Sequence, residues 1–324
     1  MSGAPLALMF PGQGSQHVGM GRGLYGWDPV FTESVEEVFT ALGPLGAQVR
    51  DDWLGEATWS VAVDDVRRAQ PLIFAVDYAL GRTVCQTVRP AAVIGHSAGE
   101  LVAAVVAGIF SVADGARLMQ QRVEAAVEVP SGGMLAVAAG PDELAPFLVG
   151  DVVVAAVNAS RQVMLAGSTL PLRRVQTSLA TAGYTFRPVP ATSPFHSPAM
   201  QPAADAVRES FAATVRPATV PLYSAYTGSV LSATDAASGD FWARQLTDPV
   251  LFAPTLRLLL DDHPEGVRLI EAGSSQVLTA LAKRTSAVRR GPATAVGLLP
   301  AVPAGPEADR STFLAALDEM AAAA

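Results

Sequence analysis

Short apolar runs of strand length alternate with longer helical patterns over the first third of the chain. Residues 6–10 and 91–94 have the length and branching of buried strands, whereas residues 100–110 and 112–124 have the patterns of an Ala/Val-rich helix and an amphipathic helix. This alternation over residues 1–126 predicts a parallel sheet that is covered on both faces.

The pattern changes in the middle of the chain. It predicts four strands with two helices between them: strands at 134–138, 151–157, 163–166 and 184–187, and helices at 141–148 and 170–182. A β-α-β-β-α-β order is typical of a ferredoxin-like unit. Further strands at 221–224 and 267–271 predict a return to the first sheet. We therefore expect an α/β fold with a large domain from residues 1–126 and 194–324 and a small ferredoxin-like insert at 127–193.

The strand at 91–94 runs directly into Gly95-His96-Ser97-Ala98-Gly99-Glu100. A serine exposed at the end of a strand needs a tight turn into the next helix, and glycines two residues before and after it remove Cβ atoms that would clash. The pentapeptide alone also occurs by chance in a chain with 28 glycines. The strand before it and the helix after it make Ser97 the candidate nucleophile of an α/β-hydrolase-like site.

A Gly-rich loop, Pro11–Gln16, follows the first predicted strand. It is not a dinucleotide fingerprint, because the third glycine would fall at His17. It is not a phosphate-binding loop either, because the only lysine of the chain is Lys283. Two interpretations remain: the loop supplies a backbone amide to an oxyanion hole, or it is an ordinary turn.

Composition narrows the class of protein. With 324 residues, 50% of them hydrophobic and 16% charged, the chain can bury a large core in one or two domains. A net charge of -8 argues against nucleic acid, and a single cysteine excludes a disulfide framework. The longest apolar stretch, residues 101–113, is too short to span a bilayer, and the N-terminus lacks a charged signal-peptide start. We expect a soluble, cytoplasmic protein.

Four motifs in order carry a resemblance: Pro11–Gln16, Gly95–Glu100, Arg117–Arg122 and Pro194–Met200. Together they resemble malonyl-CoA:acyl-carrier-protein transacylases, and the same pattern occurs in the acyltransferase domains of polyketide synthases. The match extends from Phe10 to about Arg284.

The resemblance implies that Ser97 is acylated and that His196 is its general base. Histidine suits this task near neutral pH, because its ordinary pKa is about 6.5. Of the other histidines, His96 is expected to turn its ring away from the hydroxyl and pack locally, and His263 is expected in a solvated loop.

In place of a triad carboxylate, the resemblance implies a main-chain carbonyl at Gln245 that orients the imidazole. The side chain of Gln245 would then matter little. The sequence alone leaves Asp114, Asp142 and Asp151 open as alternative partners of the histidine.

The resemblance also places the oxyanion hole at the backbone amides of Gln13 and Ala98. Gln70 and Asn158 match positions that line the acyl or pantetheine channel. As single amide side chains they are equally compatible with local caps or turns.

Two residues bear on the substrate. An arginine on a helix is usually solvated, but the resemblance implies that Arg122 binds the free carboxylate of a malonyl group, for which a guanidinium is suited. Phe195 should stand near C2 of that group and favour unsubstituted malonyl. Residues 192–194 do not match the longer specificity signatures of modular synthases, so the extender unit stays open.

These points predict a discrete acyltransferase with ping-pong chemistry. It would take a malonyl unit from coenzyme A and pass it to the phosphopantetheine thiol of an acyl carrier protein. The coenzyme A thioester is a substrate, no metal or redox cofactor is implied, and a monomer is expected. The alternatives are transfer of another extender unit, an acyl hydrolase that edits carrier-bound groups, and an inactive docking partner of a synthase.

Carrier proteins are acidic, so a docking surface on this acidic chain needs a local positive patch. Two clusters are candidates, although each is also compatible with a solvated face: Lys283, Arg284, Arg289 and Arg290, and Arg161, Arg173 and Arg174.

Overall fold

The structure is a computed structural model that describes residues 4–55 and 61–322. Its strands, in chain order, are β1 (Leu6–Phe10), β2 (Ala92–Gly95), β3 (Gly132–Val137), β4 (Val153–Ala159), β5 (Gln162–Ser168), β6 (Phe186–Val189), β7 (Leu222–Ser224), β8 (Ser229–Val230), β9 (Arg268–Glu271) and β10 (Thr294–Gly297). Its helices are α1 (Pro29–Ala41), α2 (Pro44–Leu54), α3 (Val66–Thr87), α4 (Gly99–Val106), α5 (Val112–Val127), α6 (Pro141–Leu144), α7 (Thr169–Thr181), α8 (Gln201–Ser210), α9 (Ala233–Ala236), α10 (Gly239–Arg244), α11 (Phe252–Asp261), α12 (Val277–Ala282), α13 (Ser286–Arg289) and α14 (Pro306–Ala322).

The larger sheet has the strand order β10-β9-β1-β2-β7-β8. All neighbours are parallel except β8, which pairs antiparallel with β7. Residues of β1 and β2 are fully buried because apolar clusters cover both faces of the sheet. The predicted parallel sheet is therefore confirmed. The loops after β1, β2 and β7 emerge side by side at the carboxyl edge.

The smaller sheet has the order β4-β5-β3-β6, and every pair is antiparallel. With α6 and α7 it follows the predicted β-α-β-β-α-β order around its own apolar cluster. One helix is shorter than expected: α6 ends at Leu144, and Ala145–Phe147 form a 3-10 turn. Pro146 has no amide to continue the α-helical hydrogen bonds.

The two sheets meet through the edge strand β4. The amide of Val157 donates to the Val250 carbonyl at 2.8 Å, and the amide of Val250 donates to the Ala155 carbonyl at 2.9 Å. The segment that precedes Val250 is thereby fixed between the sheets, next to the carboxyl edge of the larger one. Within the described ranges, no helix is both long and apolar enough to cross a membrane.

Candidate active site

Ser97 lies in the tight turn between β2 and α4, where its φ of 55° is in the left-handed region. The turn brings backbone segments very close together. A Cβ atom on residue 95 would lie 2.2 Å from Glu100 Cα, and one on residue 99 would lie 2.1 Å from the Phe10 carbonyl oxygen. Only glycine fits at these two positions, as expected for a nucleophile elbow.

The hydroxyl of Ser97 lies 2.7 Å from Nε2 of His196, 99 positions along the chain. His196 also has a positive φ, 63°, and its amide donates to the Leu246 carbonyl at 2.8 Å. In the part of the chain that the structure describes, Ser97 and His196 are the only non-glycine residues with positive φ. Such strain persists only where the surroundings impose it, and it is concentrated at functional sites.

The other ring nitrogen of His196, Nδ1, lies 3.0 Å from the carbonyl oxygen of Asp248. This carbonyl lies three residues beyond the predicted one at Gln245, which also favours the protonated ring. The amides of Thr247 and Asp248 both donate to the Arg244 carbonyl, so the chain makes one more turn after α10, and this turn brings the Asp248 carbonyl to the imidazole.

None of the three aspartates left open by the sequence is a ring partner of His196. Asp114 pairs with Arg117, and Asp151 accepts hydrogen bonds from Ser168. A carbonyl can only accept, so Nδ1 carries the hydrogen and Nε2 is left to accept the serine proton.

Burial, together with the nearby His96 ring and Arg122 guanidinium, lowers the pKa of His196 to about 3, although the two carbonyls oppose the shift. The resting imidazole is therefore neutral at physiological pH. A neutral imidazole beside the hydroxyl is the form that can act as a general base.

The Gly-rich loop after β1 packs directly on the elbow. A Cβ atom on Gly12 would lie 2.5 Å from the His96 carbonyl oxygen and 3.3 Å from the Ala98 amide nitrogen. Among the hydrogen bonds of the described residues, neither the Gln13 amide nor the Ala98 amide has a protein acceptor. Both amides therefore remain free to donate to a substrate, as the predicted oxyanion hole requires.

Arg122 is buried on α5, with 4% of its surface exposed. Its Nη1 donates to Oε1 of Gln245 at 2.9 Å, while its buried Nε has no partner. Gln245 Nε2 in turn donates to Glu100 at 3.2 Å, and Glu100 also accepts from Ser224 Oγ and the Ala225 amide. The Gln245 side chain therefore has a structural role, contrary to the expectation.

Glu100 is the buried acid of this network. Burial raises its pKa to about 8, although its hydrogen-bond donors and the Arg122 charge pull the pKa down. The side chain of Gln245 bridges Glu100 and Arg122, so the carboxyl group does not pair directly with the guanidinium through this link. A buried cation whose Nε hydrogen has no partner can bind an anionic group.

Tyr226, in the turn that follows β7, was not singled out by the sequence analysis. Its ring centroid lies 5.9 Å from that of His196 and 6.5 Å from that of Phe241. Burial raises its pKa, and the hydroxyl lies close enough to Arg122 and Ser97 for both to oppose that shift. The hydroxyl nevertheless has no well-formed hydrogen bond.

A cavity of about 350 Å³ opens beside Ser97 and His196, between the two sheets. Four further predicted residues line it: Gln13, Gln70, Asn158 and Phe195. Arg122 does not line this cavity.

Side-chain contacts place the amide residues at the cavity wall. Gln70 Nε2 donates to Gln13 Oε1 at 3.2 Å, and Gln13 Nε2 donates to the Asp64 carbonyl at 3.0 Å. His96 is not a locally packed residue as expected: its Nε2 lies 2.8 Å from Asn158 Oδ1 in β4, and it lines the cavity. Residues distant in sequence thus meet around the serine.

A second groove, of about 450 Å³, shares Asn158 and Leu281 with this cavity. Arg161, Arg257 and Arg284 line it, so one member of each predicted basic cluster lies in the same groove. Arg161 is paired with Glu143 at 2.8 Å.

Comparisons with known proteins agree with this geometry. The sequence model of the acyl transferase domain family matches residues 8–321. One subunit of the phenolphthiocerol/phthiocerol polyketide synthase of Mycobacterium tuberculosis (strain CDC 1551 / Oshkosh) is 35% identical over 97% of this chain, but this chain spans only 21% of that protein.

Two solved structures show the same fold. The acyltransferase domain from the second module of the salinomycin polyketide synthase is 33% identical with a TM-score of 0.86, over 98% of this chain and 73% of that one. The malonyl-CoA:acyl carrier protein transacylase of Xanthomonas oryzae pv. oryzae is 26% identical with a TM-score of 0.83, over 98% and 99% of the two chains. The chain therefore belongs to the acyl transferase domain family.

Proposed function

We propose that this acyltransferase moves a malonyl unit from coenzyme A to the phosphopantetheine thiol of an acyl carrier protein by a ping-pong route through Ser97. The observation that carries the proposal is the 2.7 Å contact of Ser97 Oγ with His196 Nε2, beside the buried Arg122. The dyad supports covalent acyl transfer, and the buried cation supports an acyl group with a free carboxylate.

In the first half-reaction, Ser97 Oγ attacks the thioester carbonyl carbon while its proton passes to His196 Nε2. The amides of Gln13 and Ala98 donate to the carbonyl oxygen as it becomes negative. The C–S bond then breaks, and the coenzyme A sulfur leaves with the proton from His196.

In the second half-reaction, the carrier thiol gives its proton to His196 Nε2 and its sulfur attacks the ester carbonyl. The C–O bond breaks, and Ser97 Oγ regains the proton. Every proton is exchanged between this dyad and the two thiols, so the proposed route uses no metal or redox cofactor. All the groups belong to one chain, which supports the proposal of a monomer, and a cytoplasmic location is part of the same proposal.

We propose that the arginine-lined groove receives the acidic carrier protein, because it adjoins the acyl cavity and carries three guanidinium groups. An Arg284→Glu exchange should raise the KM for the carrier protein while leaving the loading of Ser97 by malonyl-CoA within about twofold. A matching change in both half-reactions would argue against carrier docking there.

Intact-mass measurement after brief exposure to malonyl-, methylmalonyl- and acetyl-CoA tests the central claim. We expect a malonyl adduct that is absent in Ser97→Ala, and an Arg122→Ala variant whose malonyl loading falls much more than its acetyl loading. Rapid loss of the adduct without a carrier protein would favour the hydrolase instead. Equal effects of Arg122→Ala on both acyl groups would contradict the carboxylate role.

A further inference from the structure

Two buried polar hydrogens near the dyad have no acceptor. Arg122 Nη1 donates a hydrogen bond to the Gln245 side chain, whereas Arg122 Nε has no partner. The Tyr226 hydroxyl is also buried and has no well-formed hydrogen bond. Buried polar groups are usually satisfied, so two adjacent unsatisfied donors indicate a site for an acceptor that a ligand brings.

The position of Tyr226 is fixed by the same network that holds Arg122. Glu100, in the first turn of the elbow helix α4, accepts from Ser224 Oγ at 2.6 Å and from the Ala225 amide at 2.8 Å. Ser224 Oγ in turn accepts from the Tyr226 amide at 3.2 Å. The buried carboxyl group of Glu100 thereby fixes the position of the turn that holds Ser97 relative to the turn that holds Tyr226.

The Tyr226 hydroxyl lies close to both Ser97 and Arg122. A carboxylate that an acyl group on Ser97 Oγ presents to Arg122 therefore lies near this hydroxyl as well. In a malonyl ester the free carboxylate is two carbons from the ester carbonyl carbon, so it comes within reach of the two donors together.

We propose that the Tyr226 hydroxyl is a second donor to the free carboxylate of the acyl group, beside Arg122, and thereby a specificity-determining residue for dicarboxylic acyl units. This inference rests on the proposed malonyl function and deepens it. Arg122 supplies the charge, and Tyr226 supplies a hydrogen bond that an acetyl or fatty acyl group cannot accept at that position. A site built to hydrogen-bond a substrate group discriminates strongly against analogues without it.

The test compares rates of Ser97 acylation by malonyl-CoA and acetyl-CoA in the wild type, Tyr226→Phe, Arg122→Ala and Tyr223→Phe. Tyr223 is the matched control, because its hydroxyl donates to Asp262 rather than to the site. In Tyr226→Phe we expect kcat/KM for malonyl loading to fall about tenfold or more, since a hydrogen bond to a charged group is lost. Acetyl loading should stay within about twofold, and Tyr223→Phe should change neither rate.

Thermal unfolding of Tyr226→Phe tests whether the hydroxyl has a structural role in the free enzyme. Because the Tyr226 hydroxyl has no well-formed hydrogen bond among the described residues, Tyr226→Phe should unfold at the wild-type temperature or above it. A clear decrease in Tm would mean that the hydroxyl has a structural partner, and it would overturn the proposal.

The outcomes distinguish failure of the proposed function from failure of the Tyr226 role. If wild-type enzyme shows no Arg122-dependent preference for malonyl, the proposed function fails and the role of Tyr226 fails with it. If that preference stands but Tyr226→Phe keeps it, only the Tyr226 proposal is overturned. Equal losses for malonyl and acetyl in Tyr226→Phe would overturn it as well, because the hydroxyl would then serve Ser97 rather than the carboxylate.

Discussion

Gln245 holds Arg122 across 123 positions of sequence: its Oε1 accepts from the guanidinium at 2.9 Å. Both side chains are buried, with 1% and 4% of their surfaces exposed. A neutral amide satisfies one guanidinium nitrogen without cancelling the charge. The pair therefore fixes the arginine and leaves its cation available to a substrate.

A Gln245→Ala exchange should therefore have a clear effect. Loss of the amide leaves a buried guanidinium nitrogen without a partner, so the free energy of unfolding should fall by about 1–3 kcal/mol. Malonyl loading of Ser97 should fall about tenfold, and acetyl loading less. Denaturant unfolding and acylation rates measure the two effects. A variant with wild-type stability and an unchanged malonyl-to-acetyl ratio would restore the expectation that only the backbone of Gln245 matters.

The parts of the site that sequence reasoning could find are those encoded by short-range patterns. The turn around Ser97 is visible because glycines on both sides are a steric requirement of the turn itself. The β-α-β-β-α-β order of the small unit can be predicted from the sequence because each strand and each helix has its own apolar period. These features need no knowledge of distant contacts.

The missed residues depend on how distant segments pack. The Asp248 carbonyl joins that of Gln245 at His196 because an extra turn after α10 brings it there, and no side-chain pattern encodes that turn. Tyr226 enters the site because β7 lies next to β2 in the sheet. Glu100 did leave a signal: a lone carboxylate at the start of an Ala/Val-rich helix is rarely buried without partners.

The pH dependence of acylation should show that His196 is unprotonated well below neutrality. Its pKa is lowered to about 3, so the rate of Ser97 acylation should change little between pH 7 and pH 5, a range below the pKa of about 8 of Glu100. Malonyl-N-acetylcysteamine is the suitable donor, because it lacks the titrating phosphates of coenzyme A. A fall in rate centred near pH 6.5 would mean that the imidazole has its ordinary pKa.

The lowered pKa of His196 also makes the free energy of unfolding depend on pH. The unfolded chain binds a proton on His196 near pH 6.5, whereas the folded chain does so only near pH 3. The unfolded state is therefore favoured increasingly as the pH falls from 6.5 to 3. Wild-type protein should lose more unfolding free energy over this window than His196→Gln does. Parallel stability curves for the two proteins would contradict this.

Crowding at the elbow predicts which glycines cannot be replaced. Gly95→Ala and Gly99→Ala each place a methyl group against backbone atoms, at 2.2 Å and 2.1 Å. Each exchange should cost about 3 kcal/mol or more, or prevent folding. Gly26 is the control: its φ is 71°, but a Cβ there meets nothing within 4 Å, so Gly26→Ala should cost only about 1–2 kcal/mol. Losses at Gly95 and Gly99 no larger than the loss at Gly26 would contradict the role of crowding.

Phe195 offers a test of extender choice. It is 6% exposed, lines the acyl cavity and precedes the catalytic histidine, with its ring centroid 6.4 Å from that of His196. If this ring is the wall beside C2 of the acyl group, Phe195→Ala opens room for a methyl substituent. One methyl group in a pocket is worth about 1–3 kcal/mol, so methylmalonyl loading should rise about tenfold relative to malonyl loading.

The ratio of the two acyl groups is the right measurement, because a general loss of activity cancels in it. Phe211→Ala, at a partly buried ring outside the cavity, controls for nonspecific loosening and should leave the ratio unchanged. An unchanged ratio in Phe195→Ala would place the C2 wall elsewhere. The Tyr226 ring would then be the next aromatic group to test, because its centroid lies 5.9 Å from that of the imidazole.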